Sequence, residues 1–377
     1  YDLEDFRPFI GMKGGNEKSH GVLKAYQGPR LRIWEVQVDG PHLDSWPPSG
    51  HQALYGGLEP EQMGLTALHF QLKSFASHAF RRPPTAGELE PFLALVEDKL
   101  KQGVEPLIAY QIGCQAILCS PGFLYLNLGE GDLDEISLAS RLSYFLWSSP
   151  PDTRLLEMAA AGQLKHNLAE QVIRMLDDPR ASRFVQHFVR RWLDLDNIGT
   201  MPPAEDFLVY YRDNLEQAMR EETESFFNHI MKNNLPLSEF LDANYSFLNR
   251  ELALHYGITD VQGNHLQRVE LNAHQRGGIL GHGSFLTASA NGVDTSPVVR
   301  GIYVLEKLLG YSPPPPPPDV PAVEPDIRGA SSIRELLEKH RGNTTCAECH
   351  RKIDPLGFAL ENFDAVGKWR EKYKGNL

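Results

Sequence analysis

The sequence predicts a mainly α protein with a helical domain over residues 58–311. A short β-containing segment precedes it at 1–57, and a separate C-terminal segment follows at 331–377. Three observations predict this order. Apolar residues recur at helical spacing through the middle of the chain, one run near the start alternates apolar with polar residues, and six consecutive prolines, Pro313 to Pro318, interrupt the pattern near the end.

Length and charge limit the classes of protein to consider. The 377 residues suffice for two or three domains with their own cores. A formal net charge of -12 without a long Lys/Arg run argues against a nucleic-acid-binding surface, because such surfaces need clustered cations. No stretch approaches the roughly 20 apolar residues of a membrane-spanning helix, and Tyr1–Asp5 has no signal-peptide features. We expect no membrane span, and a start that was processed or cut away.

The opening segment contains one run that is typical of a strand. Leu31–Val38 alternates β-branched or aromatic residues with polar ones, and Asp39–Pro41 ends the run. Because a single strand is not stable alone, we expect it to complete a sheet or to be the remnant of a β-domain.

The helical domain is predicted from stripes of apolar residues, which we assign to its core. Ser148–Asp152 is predicted to end one helix and to cap the next. The acidic run Glu221–Glu224 is predicted to be the solvated face of a long helix, and the acidic group Asp132–Glu135 to cap a helix. The stripes are Leu138, Leu142, Phe145 and Leu146; Phe184, Phe188 and Trp192; and Met219, Phe226 and Ile230.

Two of the four cysteines, Cys114 and Cys119, lie in a stretch that reads as helical. A separation of five places them on different faces of a helix, which disfavours a local disulfide. We expect two buried thiols, since free cysteine behaves as a small apolar residue.

A proline-rich spacer is predicted at 312–330. Ser296-Pro297 before it supplies the N-cap and first position of a helix that Gly310 closes. Six prolines in polyproline II rise about 3.1 Å each, which makes a semi-rigid spacer of roughly 19 Å. After the spacer, Ser332–Glu335 matches the capping box of a further helix.

The run Cys346-Ala347-Glu348-Cys349-His350 has the spacing of a covalent haem site. Thioether attachment needs two cysteines about one turn apart and a histidine directly after them as the iron ligand. A zinc site would need further ligands at finger-like spacing. A thioredoxin-like pair would open a helix after a strand, whereas this one follows a helix and a Thr344-Thr345 turn. The third alternative is a structural pair without a cofactor.

Residues after the run are candidates for the walls of a haem pocket. We expect Phe358 and Phe363 to line one haem face, and a backbone carbonyl near Pro355 to accept from the ring N–H of His350. Trp369 and Arg370 are candidates to reach the haem propionates. The alternative for the aromatic residues is ordinary core.

No methionine follows Met231, so the sixth iron ligand is not a downstream methionine of this chain. Three possibilities remain for the sixth position of the iron. A histidine of this chain binds there, the position is open, or another segment supplies the ligand. The two candidates are His340, six residues before Cys346, and His282, which we expect to be exposed between two glycines. For both, the alternative is a structural role.

Five motifs resemble one family, the planctomycete-type secreted cytochrome c-like proteins built from several domains of unknown function. The resemblance covers nearly the whole chain and implies export, one covalent haem c attached outside the cytoplasm, and further domains on either side. The resemblance does not imply a particular reaction, because the activity of the family is unassigned. This chain departs from the family pattern in the loop Ala288–Gly292, and it stops at Leu377 where family members continue. The motifs are Ala79–Pro83, Leu138–Trp147, Arg276–Leu280, Thr295–Gly301, and Cys349-His350 with Asp354–Asp364.

Two functions follow as hypotheses. The first is a c-type haem protein of the periplasm or cell exterior, which transfers electrons to a redox partner protein or is the haem module of a larger oxidoreductase. The second is a surface or carbohydrate-associated binding protein in which the haem is structural. The second is motivated by the aromatic start of the chain, with Trp34 and Trp46, and by the large helical body.

Overall fold

A computed structural model gives the fold of most of the chain. It describes residues 35–40, 42–56, 64–126, 131–198, 215–292, 294–314 and 344–371, and for 344–349 it describes only the backbone. These residues are mainly α-helical, which confirms the predicted fold class. They form two compact units, one within Pro29–Phe184 and the other within Val185–Leu377. This division falls inside the predicted helical domain, and the C-terminal segment is part of the second unit.

The regular elements are mostly short helices. They are α1 (Ser49–Tyr55), α2 (Leu65–Ala79), α3 (Ala86–Lys101), α4 (Pro106–Leu118), α5 (Pro121–Leu124), α6 (Glu135–Trp147), α7 (Thr153–Ala160), α8 (Leu168–Asp177), α9 (Ser182–Trp192), α10 (Leu215–Lys232), α11 (Glu239–Asp242), α12 (Arg250–His255), α13 (Gly283–Ala288), α14 (Pro297–Lys307) and α15 (Thr344–Phe358). Strands β1 (Tyr245–Leu248) and β2 (Gln267–Glu270) pair antiparallel, with Tyr245 opposite Glu270.

The first unit has two apolar clusters. One joins α2, α3 and α4 around buried residues that include Leu72, Val96 and Ile117. The other joins α6, α7 and α8 around Trp147, whose indole N–H donates to the Met175 carbonyl at 2.9 Å. Burying an indole requires such a partner, because an unpaired donor in the core is destabilising.

The predicted helix ends in this unit are confirmed. Ser148 ends α6 in the left-handed conformation, and the Asp152 carboxylate accepts from the backbone N–H of Leu155 at the start of α7. Asp134 caps α6 in the same way, accepting from Ser137. The acidic group at 132–135 therefore serves a helix end, as the sequence predicts.

Two sequence predictions in this unit are wrong. Residues 35–38 of the predicted strand have no regular structure, and Val36 and Val38 are 72% and 88% exposed, so no buried face holds them in a sheet. Residues 31–34 of that run lie outside the described residues. Cys114 is buried, but Cys119 ends α4 at an exposed position.

In the second unit, α10 is the element around which the core forms. Its residues Leu215 and Met219 pack with Leu248 and Leu252, while Phe226 and Ile230 pack in a neighbouring cluster with Tyr245. The described sheet, β1 with β2, lies here, inside the stretch predicted to be helical. Two residues of the predicted stripes, Phe145 in the first unit and Phe188 in the second, are exposed and do not belong to the core.

The helix at Ser296-Pro297 forms as predicted. The Ser296 hydroxyl accepts from the backbone N–H of Val299, Pro297 is the first residue of α14, and Gly310 beyond its end has a positive φ. Residues 312–314 of the proline-rich spacer have no regular structure. The rest of the spacer and the predicted capping box at 332–335 lie outside the described residues.

Candidate functional site

The Cys-X-X-Cys-His run lies in α15, a helix that begins at Thr344. The predicted turn at Thr344-Thr345 is thus the first part of the helix. Positions 346 to 350 span four helical steps, about 6 Å along the axis. The described side chains of the helix begin at His350.

His350 is oriented by a carboxylate one helical turn further on. Its Nδ1 lies 2.8 Å from Oδ1 of Asp354, and the His350 and Asp354 side chains are 13% and 0% exposed. Residues four apart are neighbours on one side of an α-helix, which brings these two groups together. The predicted partner, a backbone carbonyl near Pro355, is therefore wrong: Pro355 lies inside the helix at an exposed position, and the Asp354 side chain bonds the ring.

Two glycines allow α14 and α15 to pack backbone to backbone. A Cβ atom at Gly301 would overlap the carbonyl oxygen of Ile353, and one at Gly357 would overlap the carbonyl oxygen of Pro297. Only glycine fits at both positions, because the opposing atoms belong to the main chain and cannot move away as a flexible side chain can. The helix that carries His350 is thereby held directly against the body of the second unit.

We expect Gly357→Ala to destabilise the second unit although alanine is the better helix former. Overpacking against a fixed backbone costs about 1–3 kcal/mol. Gly87→Ala in α3 is the matched control, because a Cβ there meets no atom within 4 Å. Urea unfolding of both variants is the measurement. Equal stability of Gly357→Ala and the native protein would contradict the close helix crossing.

A buried arginine, Arg300, holds the loop that follows α15. Its Nη1 donates to the carbonyls of Leu360 and Phe363 at 2.8 and 2.7 Å, and its Nη2 donates to that of Asp364 at 2.8 Å. Burial lowers the pKa of Arg300 to about 10, so the guanidinium stays charged at neutral pH. One side chain of α14 thus binds three main-chain carbonyls of the loop.

A second arginine, Arg276, also binds the loop that follows α15. It donates to the carbonyls of Gly367, at 2.6 Å, and Gly281. Its guanidinium carbon lies 3.6 Å from the centre of the Tyr256 ring and 4.7 Å from that of Phe363. Stacking on aromatic faces is a favourable environment for a buried guanidinium.

Glu222 carries a buried carboxyl group that the sequence does not reveal. Oε1 accepts from the Ser246 hydroxyl at 2.7 Å and Oε2 from the Tyr256 hydroxyl at 2.6 Å. Burial raises the pKa of Glu222 to about 7. The predicted solvated face is wrong for Glu222 and for Glu224, which is also buried and pairs with Arg190 at 2.7 Å.

His282 is fully buried, so the predicted exposure is wrong. Its Nδ1 lies 3.0 Å from the Thr223 hydroxyl and its Nε2 lies 3.4 Å from the Ser246 hydroxyl. Burial lowers the pKa of His282 to about 3, which keeps the ring neutral. Both ring nitrogens face hydroxyl groups, an arrangement that fits the structural alternative better than iron ligation. The other candidate, His340, lies outside the described residues.

The aromatic and basic candidates lie in and after α15. Phe363 is buried and packs edge-on against Trp369 at 5.2 Å between ring centres, and Phe358 is partly buried. Arg370 donates to the Glu361 carboxylate at 3.0 Å and to the Thr295 hydroxyl at 2.7 Å. The guanidinium is engaged by the protein itself, and its role toward haem propionates stays a prediction.

His350, Phe358, Phe363, Trp369 and Arg370 all lie in or shortly after α15, and of these the structure places Phe363 and Trp369 in contact with each other. The sequence analysis missed Asp354 as the partner of His350, and it missed the two arginines that hold the segment. Asp354 was detectable from its spacing of four after His350, had the helix been extended through Pro355. Of the aromatic residues at the start of the chain, Trp46 is exposed and Trp34 lies outside the described residues.

No helix in the described part of the chain is long and apolar enough to cross a membrane. The described side chains, which exclude those of Cys346 and Cys349, contain no group of three or more His, Cys, Asp and Glu residues arranged to hold a metal ion.

Three stretches of the chain match models of protein families. Residues 133–258 match PSD4, a protein of unknown function (DUF1592). Residues 276–373 match PSCyt3, a protein of unknown function (DUF1588), and residues 69–127 match PSD5, a protein of unknown function (DUF1595). No curated protein and no solved structure matches the chain. The chain is therefore an assembly of domains of unknown function, and the second match contains α15 and both arginine-bound loop segments.

Proposed function

We propose that this chain is a c-type haem protein that works outside the cytoplasm, in the periplasm or at the cell exterior. Cys346 and Cys349 attach one haem c, and His350 is the iron ligand on the proximal side. The protein passes electrons to a redox partner protein or is the haem module of a larger oxidoreductase. The observation that carries the proposal is the orientation of His350 by the buried Asp354 carboxylate, at 2.8 Å, within the helix that bears the Cys-X-X-Cys-His run.

The residues present fit the group. With Nδ1 of His350 bonded to Asp354, Nε2 is the ring nitrogen that would bind iron, and metal-binding histidines are commonly oriented in this way by a partner on the other nitrogen. A bound haem c supplies one-electron redox chemistry at iron. The contribution of the chain is to fix the imidazole, to anchor α15 through Gly301 and Gly357, and to hold the following loop through Arg300.

The family matches support the same reading. The name PSCyt3 suggests a cytochrome-like domain, and its match covers residues 276–373, which include the proposed attachment residues. The names of the three families together suggest planctomycete cytochrome-like multidomain proteins. Attachment of haem to cysteines outside the cytoplasm accounts for the proposed location.

We expect a haem stain on a denaturing gel to label the native protein after expression with a c-type haem maturation system. The double variant Cys346→Ala/Cys349→Ala should lose the stain completely, because denaturation releases any haem that is not covalently bound. Cys114→Ala is the matched control and should keep the stain. Persistent staining of the double variant would remove the attachment proposal.

Absorption spectra then separate the two forms of the proposal. A low-spin reduced haem that is indifferent to carbon monoxide would support electron transfer, since both iron faces would carry ligands. A high-spin haem that binds carbon monoxide would support the oxidoreductase module.

A further inference from the structure

The side chain that bonds His350 is a carboxylate in a fully buried position. Oδ1 of Asp354 lies 2.8 Å from Nδ1 of His350, and none of the Asp354 side chain is exposed. A hydrogen bond to an ionised acceptor is roughly twice as strong as one to a neutral acceptor. Shielding from water strengthens it further, because the effective dielectric constant is lower in the interior. The backbone carbonyl expected from the sequence would be the weaker, neutral acceptor.

The geometry points to Asp354 as a positioning residue that makes His350 an electron-rich iron ligand and so lowers the reduction potential of the haem. This inference rests on the proposed function. The carboxylate draws the Nδ1 proton toward itself, and the ring then carries more negative charge at Nε2. Negative charge at the ligand stabilises ferric iron, with its extra positive charge, more than ferrous iron. The oxidised state is favoured as a result.

The rest of the helix keeps this pair in register. Ile353 and Gly357 stand on either side of Asp354 in sequence, and both lie against α14, the first at Gly301 and the second at Pro297. A helix held at two points by main-chain contacts cannot rotate about its axis to release the carboxylate. The side chains of His350 and Asp354 therefore stay next to each other on successive turns of a rigid helix. Rigid elements of this kind maintain a precise ligand geometry.

A lowered reduction potential affects which proteins can donate electrons to the haem. Compared with the same haem whose histidine bonds a neutral carbonyl, this haem would give up its electron more readily. Its electron donor would have to be correspondingly more reducing.

The test is the midpoint potential of haem-loaded protein, measured by spectroelectrochemistry. Asp354→Asn keeps the shape and a neutral acceptor but removes the charge. Removing such a partner typically costs roughly tenfold to a hundredfold in metal affinity. A loss of that size in the ferric state alone corresponds, at 59 mV per tenfold for one electron, to a rise in potential of roughly 60–120 mV. Asp364→Asn is the matched control, because this carboxylate in the same segment accepts from the backbone N–H groups of Val366 and Lys368. An unchanged potential in Asp354→Asn, or an equal rise in both variants, would overturn the inference.

A second measurement needs no variant and decides the matter if Asp354→Asn does not fold. In the reduced, carbon monoxide-treated native protein labelled with ¹⁵N, the Nδ1 shift of His350 should move from the value of a neutral imidazole toward that of an imidazolate. A shift typical of a neutral ring would overturn the inference while leaving the haem in place. Absence of haem from the native protein would instead overturn the proposed function, so the two failures are distinguishable.

Discussion

Arg300→Met is expected to destabilise the second unit by about 3–5 kcal/mol, the cost of removing one member of a buried ion pair. The partner is Glu361, whose Oε1 lies 3.5 Å from Nη1 of Arg300. Methionine fills much of the same volume but donates no hydrogen bond. The Phe363 carbonyl would lose its donor, and an unsatisfied buried acceptor costs about 1–3 kcal/mol. The carbonyls of Leu360 and Asp364 would lose the guanidinium but keep the backbone N–H groups of Phe363 and Gly367. With whole-domain stabilities of about 5–15 kcal/mol, this loss is large.

Urea unfolding gives the free energy, and hydrogen exchange of the amides at 360–367 shows where the loss occurs. Arg154→Met is the control, because Arg154 is 55% exposed in its ion pair with Glu170 and such pairs contribute about 0–1 kcal/mol. An Arg300→Met protein with native exchange rates at 360–367 would show that the three carbonyl contacts do not hold the loop.

Glu222 is expected to make the stability of the second unit depend on pH. Its pKa is about 7 in the folded protein and 4.5 for an exposed glutamate, so the folded state holds a proton that the unfolded state loses. Its stabilising contribution is fully present below pH 4.5 and is lost as pH rises to about 7. The difference between these two pKa values corresponds to about 3 kcal/mol in the free energy of unfolding. Between pH 4.5 and 7 the stability decreases because Glu222 ionises in the unfolded state while the buried carboxyl group of the folded state keeps its proton.

Glu222→Gln should remove this dependence, since the amide cannot ionise and can still meet the hydroxyls of Ser246 and Tyr256. Unfolding free energies of the native protein and the variant, measured from pH 4 to 8, should therefore diverge by about 3 kcal/mol, with the variant relatively more stable at the higher pH. Glu221→Gln, on the same helix with its carboxylate bonded to Gln217, is the control for loss of charge. Parallel curves for native and Glu222→Gln protein would contradict the ionisation of Glu222 in this range.

The charged and titratable neighbours of Glu222 come from several elements. Tyr256 follows α12, Arg276 precedes the turn that leads to α13, and His282 caps the start of α13. Arg276 is the one whose charge favours ionised Glu222, and it is also bonded to Gly367 in the loop after α15. The buried carboxyl group and the proposed haem segment are thus joined through one guanidinium.

Local signals were sufficient for much of the fold. Ser296 with Pro297, and Asp152 after Ser148, predict helix boundaries because a cap acts within three residues of itself. The residues that the sequence misassigned depend instead on distant partners. Glu222 lies in an acidic run that is typical of a solvated face, and its burial requires hydroxyls from residues 246 and 256.

In the candidate site, too, features that depend on neighbouring residues were predictable from the sequence, and features that depend on distant residues were not. The spacing of Cys346, Cys349 and His350 suffices to propose a haem, since attachment chemistry is local in sequence. Asp354 was missed because Pro355 reads as the end of a helix, whereas α15 continues through it. The close crossing at Gly301 and Gly357 was not predictable, because nothing local indicates that a glycine faces the main chain of another helix.

Peptide mass mapping of the native protein tests the central claim most directly. After expression with a c-type haem maturation system, the peptide that contains Cys346 and Cys349 should carry the added mass of one haem, joined through both sulfurs. Recovery of that peptide with two unmodified thiols, or with the cysteines holding zinc instead, would contradict the account.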